Sequence, residues 1–170
     1  IGRHVLYCHD MGLEAYGLDL SESAVATLKE WADIRGEKEI ESRVAAGDAR
    51  NLPWSNEFFQ FAISHGVLDS MEFDIARATT LELARVMAPK GLFYCDLISG
   101  DDSQHAREFS GEEIVEGPHE TDTVQLYFNW SLIQALFEDV FKIIECNPIR
   151  REDVLKGGHI SRFHLVLRKI

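Results

Sequence analysis

Cysteine and proline are scarce, with three of the first and four of the second in 170 residues. Cys8, Cys95 and Cys146 are odd in number, lie far apart and sit among apolar neighbours. That excludes a disulfide scaffold and leads us to expect reduced, buried thiols. No apolar run reaches the roughly 18 residues that a membrane-crossing helix needs, and no charged start followed by a short apolar block marks a secretion signal. A soluble, cytoplasmic protein is the expectation. Repeats and low-complexity linkers are also missing, so residues 1–170 read as one domain. With neither a Gly-x-Ser-x-Gly elbow nor a Gly-Lys-Ser/Thr phosphate loop, the usual sequence support for a serine hydrolase or a P-loop nucleotidase is gone. Cations are few as well: 17 Lys and Arg against 29 Asp and Glu leave a formal charge of -12. Such a body repels phosphate backbones and anionic lipid, so we expect no nucleic acid and no membrane partner. The segment from Arg150 to Ile170 is the exception, and its cations, Arg162 among them, read as solvating a strand and its turn.

What is present is a 45% hydrophobic chain in which strand and helix alternate. A helix through Val5 to Met11 stops at Gly12, and Ala15 to Leu18 form a short buried strand. Ser21 can cap a second helix, with Glu22 at its positive end and Val25, Leu28 and Ala32 on one face. Strands are predicted at Arg43–Gly47, Phe59–Ser64 and Gly91–Ile98, their apolar runs suiting coverage on both faces. Asp74 can cap the intervening helix, which Pro89 stops. From Ser99 to Asn129 acids such as Asp101, Asp102, Glu108, Glu112, Glu113, Glu116, Glu120 and Asp122 dominate, and this stretch reads as an insertion over a site. A strand at Val124–Phe128, a helix from about Trp130 to Glu138 capped by Asn129, a strand at Phe141–Glu145 and a last strand with Phe163, Leu165 and Leu167 on one side complete the pattern. The alternation indicates an α/β fold.

Two acids occupy the carboxyl ends of consecutive strands, the edge where open parallel sheets bind ligands. Asp19 closes Gly17-Leu18-Asp19 and can accept both hydroxyls of a ribose. As a single residue it reads equally as part of a helix start. Asp48, in Gly47-Asp48-Ala49-Arg50-Asn51-Leu52-Pro53, can accept from an exocyclic amine or serve its own turn. The apolar strand from Phe59 then closes in Ser64-His65-Gly66-Val67-Leu68-Asp69.

Together with Ile1-Gly2-Arg3-His4 and Val86-Met87-Ala88-Pro89-Lys90-Gly91, these segments form an ordered series over the first hundred residues. The series resembles the class I S-adenosylmethionine-dependent methyltransferases, of the small-molecule type. The resemblance implies a Rossmann-like, doubly wound sheet, mostly parallel with an antiparallel C-terminal strand, and a small lid at 99–129. It implies S-adenosylmethionine as cofactor and a small-molecule methyl acceptor, in a monomer or homodimer. It also implies that Gly2 and Arg3 end the glycine loop, that Asp19, with Leu20 and Ser21, holds the ribose, and that Asp48, Ala49 and Arg50 meet the adenine. Ser64, His65 and Gly66 fall beside the methionine part. By the same comparison the chain opens inside the glycine loop, Gln60 stands where the family carries an acid, and Lys90 replaces a common glycine.

Methyl transfer from a sulfonium is an in-line displacement that needs alignment and exclusion of water, not a protein nucleophile. If the acceptor must lose a proton, His65 is the first candidate base, with His105, His119 and Tyr127 behind it. His4 and Cys8 share a helix face, yet no second pair completes a tetrahedral site, so no metal is expected. A nicotinamide-dependent Rossmann oxidoreductase and a non-catalytic methyltransferase-like subunit are the alternatives.

Overall fold

Residues 2–105, 108–115 and 123–170 are described by the computed structural model. They fall into two compact units, Ile1–Pro53 and Trp54–Ile170.

The first unit contains α1 (Arg3–Asp10), β1 (Gly17–Asp19), α2 (Glu22–Arg35), α3 (Lys38–Arg43) and β2 (Val44–Ala46). The α2 boundaries follow the sequence signals. Ser21 Oγ accepts the Ala24 amide at 3.2 Å, and Gly36 ends the helix with φ 78°, a left-handed value that costs glycine nothing. Val25, Leu28 and Ala32 form the buried stripe and pack with Ile40 and Val44. Helix α3, which carries Ile40, was not expected, because six residues show too little of the helical period. β1 and β2 run parallel, so Asp19 stands beside Ala46 at the same sheet end. Gly17 is required by close approach, since a Cβ there would lie 2.7 Å from Val5 Cγ2.

The second unit contains β3 (Phe59–His65), α4 (Phe73–Val86), β4 (Met87–Ile98), β5 (Gly111–Val115), β6 (Thr123–Tyr127), α5 (Trp130–Phe137), β7 (Phe141–Glu152) and β8 (His159–Lys169). Its sheet has the order β3-β4-β8-β7. β3 and β4 are parallel, and β8 runs antiparallel to both neighbours. This is the mixed α/β sheet with an antiparallel last strand that the sequence indicates. One face is the core: Phe93, Cys95, Leu97, Leu165 and Leu167 pack against α4 and α5. The opposite face is open at β3, where Phe61 is 70% and Ile63 53% exposed. The side chains of β3 alternate between a packed face and an uncovered one.

Local signals held better at α5 than at α4. Asn129 Oδ1 accepts the Leu132 amide at 2.9 Å, whereas α4 starts two residues early, with Glu72 at its cap position, no side-chain cap bond and Asp74 inside the first turn. Asp74 lies there as a charge complementing the helix dipole. Among the described residues of the polar 99–129 stretch, β5 and β6 pair antiparallel, a β5–β6 hairpin whose first strand the composition does not suggest. The Leu126 amide donates to Asp69 and the Phe128 amide to Ile98, which ties the hairpin to the sheet. Glu116, His119, Glu120 and Asp122 lie outside the described residues.

Lys90 carries the left-handed φ of 66°, so the irregular stretch of β4 between Met87 and Leu92 asks for the glycine that the resemblance places there. A non-glycine residue in this region costs roughly 1–2 kcal/mol. Lys90→Gly is therefore expected to stabilise the protein by about 0.5–1 kcal/mol, after allowing for the greater unfolded-chain entropy of glycine. Thermal or urea denaturation checks it, and a fall in stability would contradict the strain.

Candidate active site

In the first unit, Gly2 and Asp19 line one small cavity together with Gly17, Leu18 and Leu28. Gly2 takes φ 57° and precedes α1 with no side-chain cap bond, at a helix start of the kind whose backbone N–H groups can meet an anionic group. A Cβ on Gly2 would run into the Leu28 side chain. The exposed Asp19 carboxylate accepts the Ser21 amide through Oδ1 at 2.9 Å and retains capacity for further donors. Leu20, next in line, is 78% exposed. Ser21 itself faces the helix rather than a ligand, with its hydroxyl 2.9 Å from Ser23 Oγ as well as capping Ala24. Asp48 is differently placed. The Arg50 guanidinium reaches both of its oxygens, Nε at 3.1 and 3.0 Å and Nη2 at 2.6 Å, and the Arg50 amide donates at 2.8 Å. These bonds from the Arg50 side chain and then its amide pull the carboxyl down to about 2. Gly2 and Asp19 thus fit an amino-acid carboxylate and a ribose, whereas Asp48 must share its oxygens with Arg50 before it can meet an amine.

In the second unit, Ser64, His65 and Gly66 end β3, but alternation sends the first two side chains to opposite faces. Ser64 Oγ is buried and finds no hydrogen-bond partner among the described residues. His65 Nδ1 lies 3.0 Å from Oδ1 of Asp96, a fully buried carboxylate. Arg162 holds that carboxylate through Nε at 2.6 Å and Asp69 through Nη2 at 2.6 Å. The Gly66 amide donates to Asp96 at 2.9 Å and the Ile98 amide to Asp69 at 2.9 Å. Burial pushes the Asp96 carboxyl up, but the Arg162 hydrogen bond and the Gly66 amide outweigh it and leave the group below its ordinary value. Asp69 has the same arginine yet sits above its ordinary value, because burial dominates and its Oδ1 meets no partner among the described residues.

Reading the basic C-terminal stretch as solvated is wrong for Arg162. It crosses from β8 to two buried acids because an unpaired carboxylate there would be far costlier than an ordered guanidinium. Asp69, Asp96 and Arg162 were not singled out from sequence as a cluster. The available signal was a lone acid in the apolar run Tyr94-Cys95-Asp96-Leu97-Ile98. Of the three thiols, Cys95 alone is fully buried, and burial pushes it well above its ordinary value.

His105 and Tyr127 meet beside the β5–β6 hairpin. His105 stacks on Phe109 at 4.3 Å and 11° and lies 4.6 Å from Tyr127. Its Nδ1 is 2.9 Å from Asp102 Oδ1 and its Nε2 3.0 Å from Glu113 Oε1. Only the doubly protonated ring donates to both acids. The Asp102 bond first, and the Glu113 bond after it, raise His105 above its ordinary 6.5. His119 lies outside the described residues.

Two outcomes follow from these charges. Arg162→Ala leaves two buried carboxylates without their cation and is expected to cost about 3–5 kcal/mol in chemical denaturation; a loss below about 1 kcal/mol would contradict the clasp. For His105, a folded value above the unfolded one means that its stabilisation is complete below about pH 6.5 and is lost as pH rises through the raised value. Urea midpoints measured across that window should fall with pH in the parent and flatten in His105→Gln.

The profile of the family described as "Methyltransferase domain" matches residues 1–95. None of the curated proteins matches the chain. Among solved structures, a SAM-dependent methyltransferase from Methanosarcina mazei is similar at 17% identity over 95% of this chain and 86% of its own, with a TM-score of 0.74. The 1,6-didemethyltoxoflavin-N1-methyltransferase of Burkholderia thailandensis, solved with its acceptor and S-adenosylhomocysteine, is 16% identical over 99% of this chain and 66% of its own, with a TM-score of 0.75. The glycopeptide N-methyltransferase MtfA, solved with S-adenosylhomocysteine, is 16% identical over 96% and 78%, with a TM-score of 0.66. At these identities the likeness shows the fold, and it is the family profile over more than half of the chain that shows descent: the chain belongs to the methyltransferase-domain family, within the class I S-adenosylmethionine-dependent superfamily that its sequence resembles.

Proposed function

We propose that this chain moves a methyl group from S-adenosylmethionine to a small-molecule acceptor by in-line displacement. The observation that carries the reading is Gly2 and Asp19 on one cavity, the first at an uncapped helix start and the second an exposed acid at a parallel strand tip. When bound, the cofactor supplies an electrophilic methyl on a sulfonium. Our reading gives the backbone amides of Gly2 and Arg3 to its carboxylate, at the positive end of α1. Asp19 accepts from the ribose hydroxyls, held in aim by the Ser21 amide, and the exposed Leu20 gives an apolar surface next to it. Asp48, Ala49 and Arg50 take the adenine side, where Arg50 must yield part of its hold on Asp48. On the second unit, Ser64, His65 and Gly66 take the methionine side, and His65 is the base when the acceptor loses a proton.

A small-molecule acceptor suits the formal charge of -12, which disfavours nucleic acid and anionic membrane. It also suits the 99–129 segment, which we assign as a lid and acceptor-binding region on a single domain. The neighbours that methylate a toxoflavin precursor and a glycopeptide support the same class. A cytoplasmic monomer or homodimer accords with the three unpaired cysteines.

Asp19→Ala is expected to weaken S-adenosylmethionine binding by about 1–3 kcal/mol, the cost of leaving buried ribose hydroxyls without an acceptor. Titration calorimetry on the parent and the variant reads it directly. Equal affinities would remove the assigned pocket, and binding of a nicotinamide dinucleotide in place of S-adenosylmethionine would favour the oxidoreductase alternative.

A further inference from the structure

The His65 ring is attached from behind to charge that cannot rearrange. Asp96 stands directly opposite His65 in the parallel β3–β4 pairing, and its carboxylate is wholly buried while the imidazole side chain is 38% exposed. One oxygen, Oδ1, faces His65 Nδ1 at 3.0 Å and accepts the Gly66 amide at 2.9 Å. The other, Oδ2, takes Arg162 Nε at 2.6 Å. An amide N–H and a guanidinium can only donate, so neither contact can reverse. Arg162 cannot swing away either, because Nη2 is bound to Asp69 Oδ2 at 2.6 Å, and that oxygen is itself anchored by the Ile98 amide. Gly66, with φ 63°, turns the backbone directly after the amide that reaches the oxygen His65 uses; a side chain at that φ would be strained. Buried, ionised and held by two groups that can only donate, Asp96 presents to Nδ1 an acceptor and nothing else.

We propose that Asp96 is a positioning residue for His65: held by Arg162 and Gly66, it keeps the proton of the neutral imidazole on Nδ1 and makes Nε2 the nitrogen that takes the acceptor's proton. The inference rests on the role proposed for His65 in methyl transfer. As the acceptor's lone pair takes the methyl carbon, its proton passes to Nε2, and the electron pair of the broken carbon–sulfur bond stays on sulfur. The resulting imidazolium lies against Asp96, which remains a carboxylate because Arg162 is its counter-charge, and the proton then leaves to water. An orienting acid behind a histidine base divides the labour in the same way in hydrolytic triads.

Long-range 1H–15N NMR on the full chain labelled with 15N-histidine, at a pH where the rings are neutral, reads the tautomer. The His65 signals are identified by their loss in His65→Gln. In the parent, Nδ1 is expected to carry the proton in more than about nine molecules in ten. In Asp96→Asn the charged Arg162 outcompetes the Gly66 amide for the single side-chain oxygen, which turns the NH2 toward His65, so the tautomer is expected to invert to Nε2–H. A purely structural role for Asp96 would change stability without that inversion. A proton on Nε2 in the parent overturns the proposal without any variant, and so does an unchanged tautomer in folded Asp96→Asn. Calorimetry of the parent with S-adenosylmethionine separates the two readings. Absent binding with an Nδ1–H ring removes the methyl-transfer reading while the positioning of His65 stands; binding with an Nε2–H ring does the reverse.

Discussion

The second unit depends on one cation. Arg162 projects from β8 to two acids that water does not reach, Asp69 in the turn after β3 and Asp96 in β4. Each carboxylate would be very costly if left alone in that interior, and the guanidinium fork satisfies both with short, charge-assisted bonds. The clasp draws the turn after β3, the centre of β4 and the antiparallel last strand to one place. Residues that carry candidate chemistry are therefore held by buried electrostatics and not merely by a loop.

The asymmetry between the two acids has a chemical consequence. Asp96 has three donors and falls below its ordinary value, whereas Asp69 has Arg162 and one amide against nearly complete burial and rises above its own. One cation therefore supports a firmly ionised carboxylate behind His65 and a more reluctant one behind the turn. The backbone carbonyl of Asp69 accepts the Leu126 amide and the Gln125 side chain, so the same residue also fastens the β5–β6 hairpin. His105 makes a second charged knot in that region, gathering Asp102 and Glu113 around one stacked ring. The acidic texture of 99–129 is thus partly internal pairing and not only a solvated surface.

In the first unit, local physics governs. Ser21, Gly36 and the Val25–Leu28–Ala32 stripe define α2 from contacts a few residues apart, and Asp19 is aimed by an amide two residues on. Asp48 shows the limit of the same logic: a turn aspartate with an arginine two residues later satisfies itself. The acid read as a ligand for an amine already accepts from its own neighbour.

The Ser21 and Asn129 caps, most strand positions and the Asp19 tip were legible because they depend on periods and side-chain-to-backbone bonds that span fewer than five residues. The glycine at Lys90 was implied by the family resemblance alone, and the left-handed φ of 66° supplies its physical reason. The open face of β3, the six-residue α3 and the β5 strand were not legible, since burial and pairing belong to what lies across the sheet. Arg162 marks the boundary between the two. By sequence it is one more cation in a basic tail; by fold it is the partner of acids 66 and 93 positions away. The sequence by itself determined the α/β class, the family and the two strand-tip acids, all of which local periodicity and order along the chain encode. The tertiary structure alone decided which charges are buried together, because desolvation and pairing depend on distance in space and leave no periodic trace in the chain.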